Sequence, residues 1–181
     1  MPVRPPRREA RVPELKGAFA AVAFLAAALL AGCATLSPDR FPGDVAERPS
    51  PADRLAGRNF LRPVEGGVVS SGFGGRSGGH HAGTDILAPP GTEVRAVDLG
   101  VAVYAGDALR GYGNAVILEH GGGVTTLYGH LAAIRVKSGD AVPAGDVVGT
   151  VGRTGNASTD HLHFELRVDG RAVDPAPYFR E

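Results

Sequence analysis

The sequence predicts an all-β domain: an antiparallel sheet, sandwich or partly open barrel with glycine-rich loops. Short β-branched and apolar runs recur along residues 59–181, separated by turn residues, which is the spacing of strands in such folds. Of the 27 glycines, 23 fall within those 123 residues, a distribution that suits tight turns and close backbone approach better than helices. No segment keeps a helical period over three turns.

In chain order the predicted strands are EVRAV (93–97), VAVYA (101–105), NAVILEH (114–120), VTTLYGH (124–130), DVVGTV (146–151) and HLHFELRV (161–168). In the last, alternation puts Leu162, Phe164 and Leu166 on a core-facing side. The same alternation puts His161, His163 and Glu165 on the opposite side, toward a groove. Tyr178 and Phe179 near the C-terminus are expected to close the core. A domain of this size folds without staples. The single cysteine excludes an internal disulfide framework and a cysteine-based zinc finger.

Residues 1–32 carry five basic and two acidic side chains, a net +3, so the remaining 149 residues hold a net −3. A mildly acidic body lacks the basic stripe of a nucleic-acid partner, and none is expected. The uncharged run from Ala18 to Ala31 is short for a permanent span and has the length of a signal-peptide apolar region. Behind it, Leu30-Ala31-Gly32-Cys33 resembles the lipobox of bacterial lipoproteins. That resemblance implies cleavage before Cys33 and acylation of its thiol. Residues 1–32 are then a lipoprotein signal peptide. Residues 33–58, with Pro38, Pro42, Pro49 and Pro51 and no apolar period, read as the acylated cysteine and a flexible tether. The domain itself is assigned to 59–181. With Ala34 after the cysteine, the expected place is a membrane anchor at the periplasmic face of the outer membrane, or the outer face of the plasma membrane in a cell with one membrane.

All six histidines follow the signal: His80, His81, His120, His130, His161 and His163. In His81-Ala82-Gly83-Thr84-Asp85, extended backbone points His81, Gly83 and Asp85 to one face, with the glycine leaving space between two ligand candidates. A third ligand from the His-Leu-His strand completes a set of imidazoles and carboxylate typical of catalytic zinc. The spacing leaves open which histidine of that strand it is. His80 faces the other side, and His120 reads as a turn residue before Gly121-Gly122-Gly123. Tyr112 and Asn114, and more weakly Asn156, are candidates for the edge of a substrate groove.

The stretch SSGFGGRSGGHHAGTDILAPPG, continued through GYGN, LYGHL, TGNAST and HLHFELRVDGRAVDPAPYF, resembles the M23 peptidase family, the lysostaphin-like and LytM-like peptidoglycan endopeptidases, over residues 64–179. The resemblance implies that zinc (Zn2+) is held by His81, Asp85 and His163, while His130 and His161 serve as catalytic groups beside it. It also implies peptidoglycan as the substrate. Some members that have lost ligands only activate separate cell-wall amidases, and the five polar positions are all present here. With no HExxH glutamate in the chain, proton transfer and oxyanion stabilisation fall to His130 and His161. Cys33→Ser should leave residues 1–32 attached and abolish palmitate incorporation; normal labelling of that variant would remove the lipid anchor from the account.

Overall fold

The computed structural model describes residues 49–76 and 78–180. Cys33 and the predicted signal peptide lie outside the described residues. The described chain opens with a short helix, α1 (Pro51–Leu55). Strands follow as β1 (Val68–Ser71), β2 (Gly74–Arg76), β3 (Gly79–His81), β4 (Thr84–Leu87), β5 (Glu93–Arg95), β6 (Gly100–Gly106) and β7 (Asn114–Glu119). The remainder are β8 (Val124–Leu131), β9 (Ala133–Ile134), β10 (Ala141–Val142), β11 (Val147–Thr150), β12 (His161–Val168) and β13 (Arg171–Val173). A 3₁₀ turn, Ala176–Tyr178, comes last.

The all-β, antiparallel architecture is the predicted one. The six predicted runs become β5, β6, β7, β8, β11 and β12. The others are two to four residues long, too short to show alternation.

The main sheet runs β1-β4-β12-β8-β7-β6-β10, with β13 also paired to β12. A smaller sheet runs β5-β11-β9, and β2 and β3 form a separate hairpin. Strand β12 is the axis of the main sheet. Its first half, His161–Phe164, pairs with β4, its last residues pair with β13, and its other edge pairs with β8. Asp169-Gly170, both at positive φ (49° and 77°), joins β12 to β13, the two-residue turn whose twist matches a hairpin.

Leu162, Phe164 and Leu166 are fully buried, as alternation requires. They share one apolar cluster with Leu118 and Tyr128 of the main sheet and Val94 and Val148 of the smaller one. Removing each such side chain from water contributes about 1.5–3 kcal/mol. Phe164 meets Tyr128 edge-on at 5.4 Å and Phe179 at 5.5 Å. Tyr178 and Phe179 pack against this cluster, as predicted.

The tether assigned as far as residue 58 is corrected at its C-terminal end. Ser50 caps α1 through a capping box with Asp53, and Leu55 is buried in the apolar cluster beside Phe60. Arg54 pairs with Asp169 at 3.2 Å, and Arg58 pairs with Asp98 and bonds the His120 and Gly121 carbonyls. One leucine among polar residues carries no period, so the sequence showed only its solvated neighbours.

His120, read as a turn residue, does follow β7 but is wired into the core. Its Nδ1 lies 2.8 Å from the Leu99 carbonyl and its Nε2 lies 2.8 Å from Thr126 Oγ1. The Thr126 hydroxyl in turn meets Tyr128, whose oxygen accepts from the Val97 N–H. A carbonyl only accepts, so Nδ1 carries the ring hydrogen and Nε2 stays unprotonated. Burial pushes the His120 pKa down, against the pull of the Leu99 carbonyl and Asp98. Below about pH 6.5 the unfolded chain therefore takes up a proton that the folded one resists, so this contribution to stability is full above that value and is lost as the pH falls below it. With chelator present, the melting temperature of the parent should fall more steeply than that of His120→Gln between about pH 7.5 and 5. Parallel slopes would show that His120 does not titrate on unfolding.

Candidate metal centre

Strand pairing sets the first two positions. In the β12–β4 register His163 stands directly opposite Asp85, and His161 stands opposite Leu87. His163 Nδ1 consequently lies 2.8 Å from Asp85 Oδ1. His81 ends β3 and brings its Nε2 to 3.2 Å from both Asp85 Oδ1 and His163 Nδ1. The ligand atoms of His81, Asp85 and His163 all lie within 4.8 Å of one another. His161 Nε2 is 3.7 Å from the same Asp85 oxygen. The His130 ring packs 4.8 Å from His161 and 5.7 Å from His163. The sequence-predicted ligand candidates and both predicted catalytic histidines are thus brought together. Each imidazole of this group is at most 9% exposed.

The backbone of His81–Asp85 differs from the single extended run expected. The chain bends at Ala82 and Gly83 between β3 and β4. The space above Gly83 is not empty: a Cβ there would sit 2.4 Å from the Phe164 carbonyl oxygen and 2.9 Å from both Glu165 Cγ and His163 Cε1. Only glycine lets β12 press this close.

Each ring nitrogen pointing away from the centre has an acceptor. His81 Nδ1 is 2.8 Å from the Gly72 carbonyl, His130 Nδ1 2.8 Å from the Thr154 carbonyl, and His161 Nδ1 2.9 Å from the Thr159 carbonyl. His163 Nε2 is 3.0 Å from Glu165 Oε1. Carbonyls and carboxylates accept, so the outward nitrogens carry the hydrogens and the inward ones present lone pairs. Two neutral imidazoles and one carboxylate converging in this way form a fitting site for a divalent cation of the zinc type.

Burial pushes His130 down from the ordinary imidazole range, helped by His161 and His163, so its inward Nε2 is unprotonated at neutral pH. For His163 burial acts in the same direction but is outweighed by the hydrogen bonds and charges of Asp85 and Glu165, which hold it above that range. His130 also has a φ of 63° at the end of β8, a strained backbone for a non-glycine residue. It is fixed by its N–H to the Tyr112 carbonyl at 2.8 Å and by the Thr154 contact.

A groove of about 310 Å³ opens beside the centre, lined by Arg110, Tyr112, His130, Asn156, His163 and Glu165 among others. Tyr112 lies on its wall, but its hydroxyl donates to Glu165 at 2.8 Å. Burial and Glu165 raise the Tyr112 pKa. Asn114 is tied to the Leu131 and Ala132 carbonyls and is not among the groove-lining residues. His80 is exposed and meets the Phe73 ring edge-on. Glu165 was not singled out from sequence. The one signal for it was its place on the same strand face as His161 and His163.

The sequence profile of peptidase family M23 matches residues 79–175. Among curated relatives, the DD-carboxypeptidase/endopeptidase Mpg of Neisseria meningitidis is 47% identical over 95 residues, 52% of this chain and 22% of Mpg. The murein hydrolase activator NlpD of Escherichia coli is 41% identical over 116 residues, 64% of this chain and 30% of NlpD. The chain therefore spans less than a third of these relatives. A zinc-containing peptidase from Vibrio cholerae superposes with a TM-score of 0.59 at 33% identity, over 65% of this chain and 39% of that one.

The close packing at Gly83 gives a direct test of the centre. Gly83→Ala should force β12 away, lowering stability by roughly 1–3 kcal/mol and leaving the domain with markedly less zinc after dialysis. Melts paired with plasma mass spectrometry check both. Parental zinc content in the variant would mean that the approach of β12 does not set the ligand geometry.

Proposed function

Because the chain belongs to peptidase family M23, we propose that it is a zinc-dependent metalloendopeptidase. Its substrates are the stem peptides or cross-links of peptidoglycan, and its role is cell-wall remodelling. The observation that carries this reading is the convergence of the inward lone pairs of His81, Asp85 and His163, with His130 and His161 adjoining. His81 Nε2, Asp85 Oδ1 and His163 Nδ1 would hold the ion. A zinc ion there supplies Lewis-acid polarisation of a carbonyl and acidifies water toward neutral pH.

The remaining chemistry belongs to the chain. His130 and His161 share proton transfer: an unprotonated Nε2 accepts the proton of the attacking water, and the imidazolium so formed donates a hydrogen bond to the oxyanion and then transfers that one proton to the leaving amine as the C–N bond breaks. Their Nδ1–H groups donate to the Thr154 and Thr159 carbonyls throughout, so the rings keep one tautomer. Tyr112, with Arg110 and Asn156, borders the path of the peptide.

The lipobox-like Leu30-Ala31-Gly32-Cys33 supports anchoring of the domain in the cell envelope through Cys33, most simply at the periplasmic face of the outer membrane. A second reading, activation of a cell-wall amidase, is favoured by the likeness to NlpD; the Mpg likeness and the intact ligand set favour catalysis. Digestion of purified sacculi by the chain alone, with and without zinc and read by mass spectrometry, separates the two. Cleaved peptides without added amidase support the enzyme, and release only with an amidase supports the activator.

Variants sort the roles within the enzyme. His81→Ala, Asp85→Ala and His163→Ala should lose zinc and activity together. His130→Ala and His161→Ala should keep zinc while losing rate by about 10²–10⁴-fold. If His161→Ala emptied the site and His163→Ala stayed loaded, the two roles on β12 would be exchanged.

A further inference from the structure

Among the inward-facing imidazoles, His163 is the one whose outward nitrogen meets a carboxylate instead of a backbone carbonyl. The reason lies in the strand. His163 is directly opposite Asp85, so the centre lies close to its Cβ and is reached by the near nitrogen, Nδ1, at 2.8 Å. The far nitrogen is thereby turned along β12. The next residue on that face is Glu165, about 7 Å further along the strand, and its Oε1 takes the far nitrogen at 3.0 Å.

Glu165 is fully buried, although an isolated buried carboxylate costs several kcal/mol. It is retained with every partner supplied. Tyr112 donates to Oε1 at 2.8 Å, Arg167 donates to Oε2 through Nε at 2.5 Å, and its Nη2 forms an ion pair with the same oxygen at 2.5 Å. Arg167 Nη2 also reaches the Tyr112 hydroxyl at 3.2 Å. The glycine at 83 leaves room for the Glu165 stem. A residue needed only to fill this volume would be apolar. A paired carboxylate aimed at one ring nitrogen does something that volume cannot.

We propose that Glu165 is the positioning residue of the metal centre. It accepts a hydrogen bond from the Nε2–H of His163, commits Nδ1 to the ion and fixes the ring plane, while Arg167 and Tyr112 hold the carboxylate in place. The proposal rests on the metal-centre reading above but makes one claim that is independent of any ion: the tautomer of His163. Because Tyr112 is also a wall of the groove, the same device joins the groove to a metal ligand.

The test uses the full chain in detergent. Nitrogen NMR of imidazole-labelled protein in chelator, followed upward in pH until the His163 ring is neutral, should show it as a single Nε2-protonated tautomer. In Glu165→Gln that population should become mixed. Zinc affinity, measured by competition with a chromophoric chelator, should weaken by about 10–100-fold in Glu165→Gln and by less in Tyr112→Phe, which removes one support without stranding a charge. Both variants should melt cooperatively. An Nδ1-protonated His163 in the parent would overturn the proposal, as would a folded Glu165→Gln with parental zinc affinity. If Glu165→Gln fails to fold, the parental tautomer and the Tyr112→Phe affinity still decide. A parent that binds no zinc but shows the Nε2-protonated tautomer would reject the metal reading and leave the positioning of His163 standing.

Discussion

The register between β12 and β4 is the constraint on which the rest of the centre depends. With His163 opposite Asp85, an imidazole and a carboxylate meet in one plane of the sheet with no loop between them. A slip of one residue would carry both histidines of β12 to the core face and bring Leu162 and Phe164 out. The burial of Leu162, Phe164 and Leu166 beneath Tyr128 and Phe179 therefore also aims His161 and His163. The pairing of β12 with β8 on the other edge, where Gly129 faces His163, leaves the imidazole free of a competing side chain. Core packing and site geometry are one constraint seen from two faces of the same strand.

Two loops then do what strands cannot. Gly72, Thr154 and Thr159 each offer a backbone carbonyl to an Nδ1. The loop carrying Thr154 also bonds to the Leu131 carbonyl and to the Asn114 N–H, and the Asn156 N–H bonds the Gly111 carbonyl. The loop of residues 107–113 and the loop of residues 152–160 are thereby held to each other across the groove. His130 takes its positive φ between them, and that strain persists because both its N–H and its ring are tied down. Asn114 contributes here, as a strut beneath the groove.

The division between what the sequence disclosed and what it hid follows from the range of each signal. Long, alternating runs such as HLHFELRV announce both strand and facing, so the fold class, the core residues of β12 and the meeting of His81 and Asp85 with a histidine of that strand were legible, while the place of His130 came from the family resemblance. The bend at Ala82-Gly83 was not, because its cause is the approach of Phe164 and Glu165 from a strand about 80 residues away in sequence. The same holds for α1: Ser50 and Asp53 form a readable capping box, but only the distant apolar cluster explains why Leu55 is buried. Glu165 was visible as a face position, with Arg167 two residues along the same strand, and hidden as a partner of Tyr112, which reaches it from the loop before β7 only once the sheet is assembled. Backbone carbonyl acceptors have no sequence signature at all.

The chemistry of the centre follows from how its hydrogens are distributed. With the outward N–H groups donating to the Gly72 carbonyl and Glu165, His81 Nε2, His163 Nδ1 and Asp85 Oδ1 present lone pairs to one another at 2.8 to 3.2 Å. Such a set repels itself unless something positive lies among them. A proton can meet that need, and the pKa of His163, held above its ordinary value by Asp85 and Glu165 against the effect of burial, expresses the demand. A divalent cation meets it better, since it satisfies all three lone pairs at once and leaves further coordination positions open. Glu165 sits two residues along the same strand face, yet the effect of burial, which would raise its pKa, is outweighed by the hydrogen bonds of His163 and Tyr112 and by the charge of Arg167, which hold it down. The two carboxylates are thus assigned by their partners. Glu165 is kept ionised as a fixed acceptor, and Asp85 belongs to whatever cation the lone pairs gather around.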